Sequence, residues 1–182
     1  MNEYLKVKPI IIYPPCIKKG EKQDCLNCKI KCQTPRSFCL KPYAGHKKGC
    51  PNYGKKKHCP PNVPMFDQVF DISKDIYIIY SIFDLEEHVN KMKEKHPDWS
   101  YRRLSNLLYW QGTVRKDLKD KIKEFLKEYE PLGYSVTLLP EAMGVNVTET
   151  LKQVNISLEW PPKKYVYKVA FAGIVKDKEW VV

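Results

Sequence analysis

Cysteine is absent from the last two thirds of this chain, because none of its seven cysteines follows Cys59 in a sequence of 182 residues. Long apolar runs are also absent, since no stretch approaches the roughly 18 residues that a membrane-spanning helix needs. The first residues lack the basic start and apolar core of a signal peptide. These absences predict a cytoplasmic protein without a membrane segment.

The common catalytic motifs are missing as well. The chain has no phosphate-binding loop, no G-x-G-x-x-G fingerprint and no convincing Ser-His-Asp pattern. Glu141, beside a glycine turn, could serve as a general base or as a structural carboxylate. The sequence therefore leaves open whether the protein is an enzyme.

What the chain does contain is a dense group of thiols, six of which lie within residues 25–61. A segment so rich in Cys, Lys, Pro and Gly cannot fold around its own apolar core. In a reducing cytosol, clustered thiols are more often metal ligands than disulfides, and an odd count would leave one thiol unpaired. Disulfide pairing stays the alternative. We predict that all seven cysteines bind metal: Cys16, Cys25, Cys28, Cys32, Cys39, Cys50 and Cys59.

The spacing of these cysteines bears on the identity of the metal. Cys25-x2-Cys28-x3-Cys32 followed downstream by Cys59-Pro60 approaches the ligand pattern of bacterial ferredoxins, with one extra residue. Zinc is usually held by four such ligands. Seven cysteines with either His46 or His58 would make eight ligands, enough for two four-ligand sites. We favour an iron–sulfur cluster of the [4Fe–4S] type and keep zinc as the alternative.

The excess positive charge lies on the same third of the chain. Residues 1–61 contain 14 Lys or Arg against 3 Asp or Glu, and the remaining residues balance at 18 of each sign. Thiolate-bound metal offsets only part of this charge. The surplus predicts an anionic partner, either an acidic redox protein or RNA. The run Lys55, Lys56 and Lys57 is the candidate nucleic-acid contact.

Hydrophobic residues make up 43% of the chain, which allows a packed core. Apolar patterning predicts strands over 4–13, 75–83, 134–139 and 165–175, the first as an edge strand or an extended arm. Asp84 should cap a helix, Ser100 to Glu130 should form a longer one that bends at Gly112, and Asn146 or Thr148 should cap a third. The prediction is an α/β fold, a small sheet layered with helices over residues 65–182. An irregular, basic, cysteine-rich metal-binding module precedes it over residues 1–64.

Two segments resemble an uncharacterised family of predicted metal-binding proteins. Cys50-x2-Tyr53-Gly54-Lys55-x3-Cys59-Pro60-Pro61 is similar to its C-x2-Y-G-K-x-W-x-C-P-P signature, and residues 141–147, EAMGVNV, are similar to its E-A-M/Y-G-I-D-V block. The chain has Lys57 where the family has Trp. It also lacks the family's cysteine shortly before the C-x2-Y and the C-x2-C group that normally precedes the E-A-M-G block, since residues 131–140 contain no cysteine. The resemblance implies metal binding, with Cys50 and Cys59 as ligands of the family type, and it supplies no reaction.

Three functions compete at this point. The first is an iron–sulfur protein that moves electrons or sulfur as an accessory or subunit of an enzyme. The second is a zinc-stapled RNA-binding protein of a ribosome or a tRNA-modifying assembly. The third is a non-catalytic scaffold that contains structural metal.

Overall fold

The computed structural model describes residues 4–12, 34–43 and 45–176. The strands are β1 (Tyr4–Val7), β2 (Ile76–Asp84), β3 (Tyr134–Thr137) and β4 (Tyr165–Ile174). The helices are α1 (Phe66–Val69), α2 (Leu85–Lys95), α3 (Tyr101–Leu104), α4 (Gln111–Tyr129) and α5 (Val147–Lys152). Short 3-10 turns cover Pro35–Leu40, Leu107–Tyr109 and Glu130–Leu132.

The four strands form one antiparallel sheet in the order β1-β2-β4-β3. The centre of the sheet is the long β2–β4 pair, in which Ile79 faces Ala170 across the two strands. β1 lies at one edge, which agrees with the edge position expected for a segment that contains Pro9. The predicted α/β class, a small sheet layered with helices, is confirmed.

Helices and loops cover both faces of the sheet. On one face, Ile79 and Ala170 pack against Leu118 and Phe125 of α4. The opposite face holds a larger apolar cluster built around Phe171 and supplied by α1, α5 and the loops beside them. Because β2 is covered on both sides, its nearly continuous apolar run is explained.

Two helix starts follow the predicted capping residues. The Asp84 carboxylate accepts a hydrogen bond of 2.8 Å from the Glu87 backbone N–H and begins α2. Asn146 does the same for α5 through a 3.2 Å bond from Glu149 N–H, which selects Asn146 over Thr148.

The single long helix expected from Ser100 to Glu130 is wrong, because the chain breaks between α3 and α4. Asn106 caps a 3-10 turn by accepting a 3.0 Å hydrogen bond from Leu108 N–H. Trp110 leaves the helical path and stacks on Phe83, with ring centroids 4.8 Å apart. Leu108, which lies within the range expected for that helix, is 71% exposed. Gly112, expected to bend the helix, lies inside α4.

His88 of α2 gives the fold a pH-dependent stability. Burial lowers the pKa of His88 below its usual range, and a hydrogen bond to the Leu104 backbone partly offsets this. The ring atom Nε2 is buried and has no hydrogen-bond partner among the described residues. The folded protein therefore favours the neutral imidazole of His88, whereas the same imidazole in the unfolded chain takes up a proton at about pH 6.5.

We expect the free energy of unfolding to fall as the pH drops below about 6.5 and on through the lower folded pKa, because the unfolded state then binds more protons. His88→Gln retains an amide donor for the Leu104 backbone but does not titrate, so its stability should fall less over the same range. Urea unfolding followed by circular dichroism at several pH values checks this. Parallel pH profiles for the two proteins would contradict it.

Candidate metal centre

The structure describes three of the seven predicted ligands: Cys39, Cys50 and Cys59. All three are free thiols that are partly shielded from solvent. The other four, Cys16, Cys25, Cys28 and Cys32, lie outside the described residues, so their assignment as ligands stays a prediction.

Cys39 and Cys50 belong to segments that touch through their backbones. The Cys50 N–H donates a hydrogen bond of 2.7 Å to the Cys39 carbonyl. Gly49 makes this approach possible, since an added Cβ would lie 2.5 Å from the Cys39 carbonyl oxygen. Gly49 also has a φ of +83°, in the left-handed region that favours glycine. A glycine at this position is therefore needed to bring the two cysteine segments together.

Cys59 ends a compact series of turns that begins at Cys50. Tyr53 N–H donates to the Cys50 carbonyl at 3.2 Å, and Gly54 N–H donates to the Pro60 carbonyl at 2.8 Å. The second bond ties the middle of the turn series to the residue that follows Cys59, although few residues of the series contribute to the apolar core. Backbone hydrogen bonds therefore set the path of this loop, as in other segments rich in turn residues.

Arg36 attaches the Cys39 segment to the chain that follows Cys59. Its buried guanidinium donates from Nη2 to the carbonyl oxygens of Pro61 and Val63, each at 2.9 Å, and from Nη1 to Met65 Sδ at 2.9 Å. The planar fork of arginine suits several acceptors at once, which a lysine cannot match. The Thr34 hydroxyl accepts a hydrogen bond from Ser37 N–H and begins the short 3-10 turn that presents Cys39.

The Glu141–Val147 block fastens this assembly to the sheet. Phe66 N–H donates to the Met143 carbonyl at 2.9 Å, and Ile12 N–H donates to the Gly144 carbonyl at 2.9 Å. A Cβ on Gly144, whose φ is +87°, would lie 2.3 Å from Met65 Cε. The block therefore holds both the β1 side of the chain and the chain leaving Cys59, which is a structural role.

Glu141 itself lies near Lys168 on β4. Displacement of water from its carboxylate raises the pKa of Glu141, and the neighbouring Lys168 charge lowers it to a smaller extent. Burial in turn lowers the pKa of Lys168, and the nearby Arg115 charge lowers it further. No described thiol contributes to either shift, so Glu141 stands apart from the cysteines electrostatically.

Cys39 is close enough to Cys50 and Cys59 for their charges to change its pKa. Burial raises the pKa of Cys39, and the charges that Cys50 and Cys59 would carry as thiolates raise it further. The Arg36 charge acts in the opposite direction and lowers the pKa of Cys39. Thiols that repel one another as anions are stabilised in that form by a shared cation. Their donor chemistry fits a thiolate-ligated metal.

The described residues do not complete a metal site by themselves. Within residues 4–12, 34–43 and 45–176, no three His, Cys, Asp or Glu side chains are arranged to hold a metal ion. His46, a candidate donor, has its ring 4.7 Å from that of Tyr43, and the two residues exchange backbone hydrogen bonds. His58 lies next to Cys59 with its side chain exposed.

The predicted nucleic-acid contacts, Lys55, Lys56 and Lys57, are all exposed on the turns between Cys50 and Cys59. Their role stays a prediction.

Two structurally important residues were missed in the sequence. Arg36 is the single arginine among the 14 basic residues of residues 1–61, and Gly49 immediately precedes a cysteine, so both left a signal that could have been used.

Comparison with known proteins identifies a matching family. Residues 44–139, just over half of the chain, match the sequence model of a protein family described as "Predicted metal-binding protein (DUF2284)". That span contains Cys50, Cys59 and the turns between them, and it ends before the Glu141–Val147 block. No curated protein and no solved structure shows a match. None of the helices in the described part of the chain has the length and apolar character needed to cross a bilayer.

Proposed function

The chain belongs to the DUF2284 family of predicted metal-binding proteins, and from that premise we propose that it carries an iron–sulfur cluster and acts in electron or sulfur transfer. It would act as an accessory or a subunit of an enzyme. The observation that supports this most directly is the backbone contact between the Cys39 and Cys50 segments, a 2.7 Å hydrogen bond from Cys50 N–H to the Cys39 carbonyl. Consistent with it, the charges that Cys50 and Cys59 would carry as thiolates raise the pKa of Cys39. The ligands that these residues do not supply would come from the cysteines outside the described residues.

A [4Fe–4S] cluster, when bound, supplies one-electron transfer at a potential set by charge, hydrogen bonds and solvent exposure. The protein contributes to these conditions in two ways. Arg36 places a positive charge near Cys39 and ties its segment to residues 61–65. The stretch between Asp24 and Asp67 has no acidic residue. The exposed lysines in its described part favour a more anionic, reduced centre and attract an acidic partner protein.

Zinc is the alternative metal, and analysis of protein prepared without oxygen separates the two. We expect the protein to contain iron and acid-labile sulfide and to absorb broadly at about 400 nm, as thiolate-bound clusters require. Cys39→Ser, Cys50→Ser and Cys59→Ser should each lose most of the iron. His46→Gln is the control and should retain it, because that histidine packs on Tyr43.

Each result has a clear meaning for the proposal. A colourless protein with stoichiometric zinc would defeat the iron–sulfur assignment but not metal binding. A protein with neither metal would defeat both. Iron that survives all three serine substitutions would show that the described cysteines are not its ligands.

A second candidate function is RNA binding, favoured by the exposed neighbours Lys55, Lys56 and Lys57 beside Cys59. Phosphate contacts by such lysines would make the affinity fall steeply with salt concentration. An RNA arm is therefore included in the binding experiment described in the next section.

A further inference from the structure

A cavity of about 600 Å³ opens to solvent directly beside Cys50. Its walls include Cys50, Tyr53, His46 and three lysines, Lys47, Lys48 and Lys55. A volume of this order is typical of sites for small molecules. Since the cavity borders a candidate metal-binding thiol, what it binds would lie next to the metal centre.

Two hydrogen-bonded turns form the walls. In the first, Tyr43 and His46 exchange backbone hydrogen bonds of 2.9 and 3.2 Å, and Gly49 N–H donates to the His46 carbonyl at 3.1 Å. In the second, Lys55 N–H donates to the Asn52 carbonyl at 3.1 Å. The lysines on these turns are therefore held by a defined backbone and do not belong to a free tail.

Within residues 4–12, 34–43 and 45–176, no carboxylate forms an ion pair with any of the three lysines. The sequence has no Asp or Glu between Asp24 and Asp67. Within the described part of the chain, the ion pairs all involve other lysines, namely Lys6, Lys91, Lys121, Lys123, Lys127 and Lys152. Three ammonium groups lining one small cavity repel one another, and a bound anion would reverse that cost.

We propose that this cavity binds a small dianion, carrying either a phosphate group or two carboxylates, beside Cys50. One charge of the ligand would not offset three ammonium groups, and an apolar molecule would leave the charges of Lys47, Lys48 and Lys55 uncompensated. The inference rests on the proposed function, because it names the class of ligand that would bind beside the proposed metal centre. Dianion binding is measured by affinity and not by redox activity, so the inference and the proposed function can fail separately.

Isothermal titration calorimetry on the full chain, prepared without oxygen at an ionic strength of about 0.1 M, tests the proposal with inorganic phosphate, succinate and acetate. We expect saturable binding of at least one dianion and binding of acetate that is about tenfold weaker or undetectable, because a single charge gains less from the lysines. The phosphate and succinate arms identify which chemistry is recognised. Short single-stranded RNA forms a fourth arm.

Two variants of equal charge decide whether the cavity is responsible. Lys47→Gln, Lys48→Gln and Lys55→Gln combined should weaken dianion binding about tenfold or more, since charge-assisted hydrogen bonds are lost. The control combines Lys41→Gln, Lys56→Gln and Lys57→Gln, which removes the same charge from the same segment but outside the cavity lining. Its affinity should change less than about twofold, because exposed charges at a distance are screened by salt.

Equal losses in both variants would overturn the proposal, since they would indicate only a diffuse basic surface. RNA binding without saturable dianion binding would also overturn it. Metal content is measured on the same samples. Protein that holds metal but binds no dianion defeats this inference alone, whereas dianion binding by a protein that holds no metal defeats the proposed function alone.

Discussion

Gly49→Ala should separate the Cys39 and Cys50 segments and lose most of the bound metal. The new Cβ would lie 2.5 Å from the Cys39 carbonyl oxygen and 2.9 Å from the Leu40 carbonyl carbon. Both are backbone atoms, so no flexible side chain can move aside. The nearby hydrogen bond from Cys50 N–H to the Cys39 carbonyl, 2.7 Å long, would have to lengthen or break.

Gly45→Ala is a matched control for this prediction. Gly45 has a φ of +81°, nearly that of Gly49, but an added Cβ there meets no atom within 4 Å. Both alanines incur the cost of a left-handed conformation, about 1–2 kcal/mol. Gly49→Ala should cost about 1–3 kcal/mol more, as overpacking does elsewhere.

Urea unfolding and metal analysis of the two glycine variants measure the difference. The expected result is a metal-depleted Gly49→Ala protein and a Gly45→Ala protein with nearly normal metal content. If both variants keep their metal and lose the same stability, only backbone conformation matters and the close approach has no functional role.

The elements that the sequence predicted correctly are those with strong local signals. β2 and β4 are long apolar runs rich in β-branched and aromatic residues, and each can be identified without knowing its neighbours. The start of α2 follows from Asp84 and the glutamates behind it, which act within one turn of helix. The break between α3 and α4 was missed because it depends on Trp110 stacking on Phe83, 27 positions earlier.

The candidate site likewise contains features that the sequence predicts and contacts that it does not. Its thiols are evident from composition, because cysteine is rare and here it is crowded. The contacts that bring the cysteine segments together are not evident, since Arg36 contacts residues 25 to 29 positions away and Gly49 matters only through the backbone of Cys39. Sequence patterns report local periodicity, whereas these contacts arise only after the chain has folded.

Arg36→Met should destabilise the protein by about 2–4 kcal/mol and release the Cys39 segment. Methionine matches the length of the side chain but donates no hydrogen bond, so the Pro61 and Val63 carbonyls lose their 2.9 Å contacts with the guanidinium. A buried carbonyl left without a partner costs about 1–3 kcal/mol. Removing the buried charge of Arg36 recovers part of this free energy. The expected loss of stability is therefore smaller than the summed cost of two carbonyls without partners.

Two further substitutions of arginine separate the effect of geometry from the effect of charge. Arg36→Lys keeps the charge but has a single ammonium in place of the fork, so it should lose nearly as much stability as Arg36→Met. Arg102→Met makes the same chemical change at an exposed position on α3 and should shift stability by no more than about 0.5 kcal/mol. Urea unfolding gives the free energies, and metal analysis shows whether the cysteine segments stay together.

The comparison of these three variants tests how the metal centre is held. A stable Arg36→Lys protein with normal metal content would mean that Arg36 contributes through its charge near Cys39. A stable Arg36→Met protein would mean that the bonds to Pro61 and Val63 are dispensable, and that the turns between Cys50 and Cys59 position the thiols alone. Loss in both, with Arg102→Met unchanged, would identify the guanidinium fork as the link that holds the Cys39 segment beside the chain after Cys59.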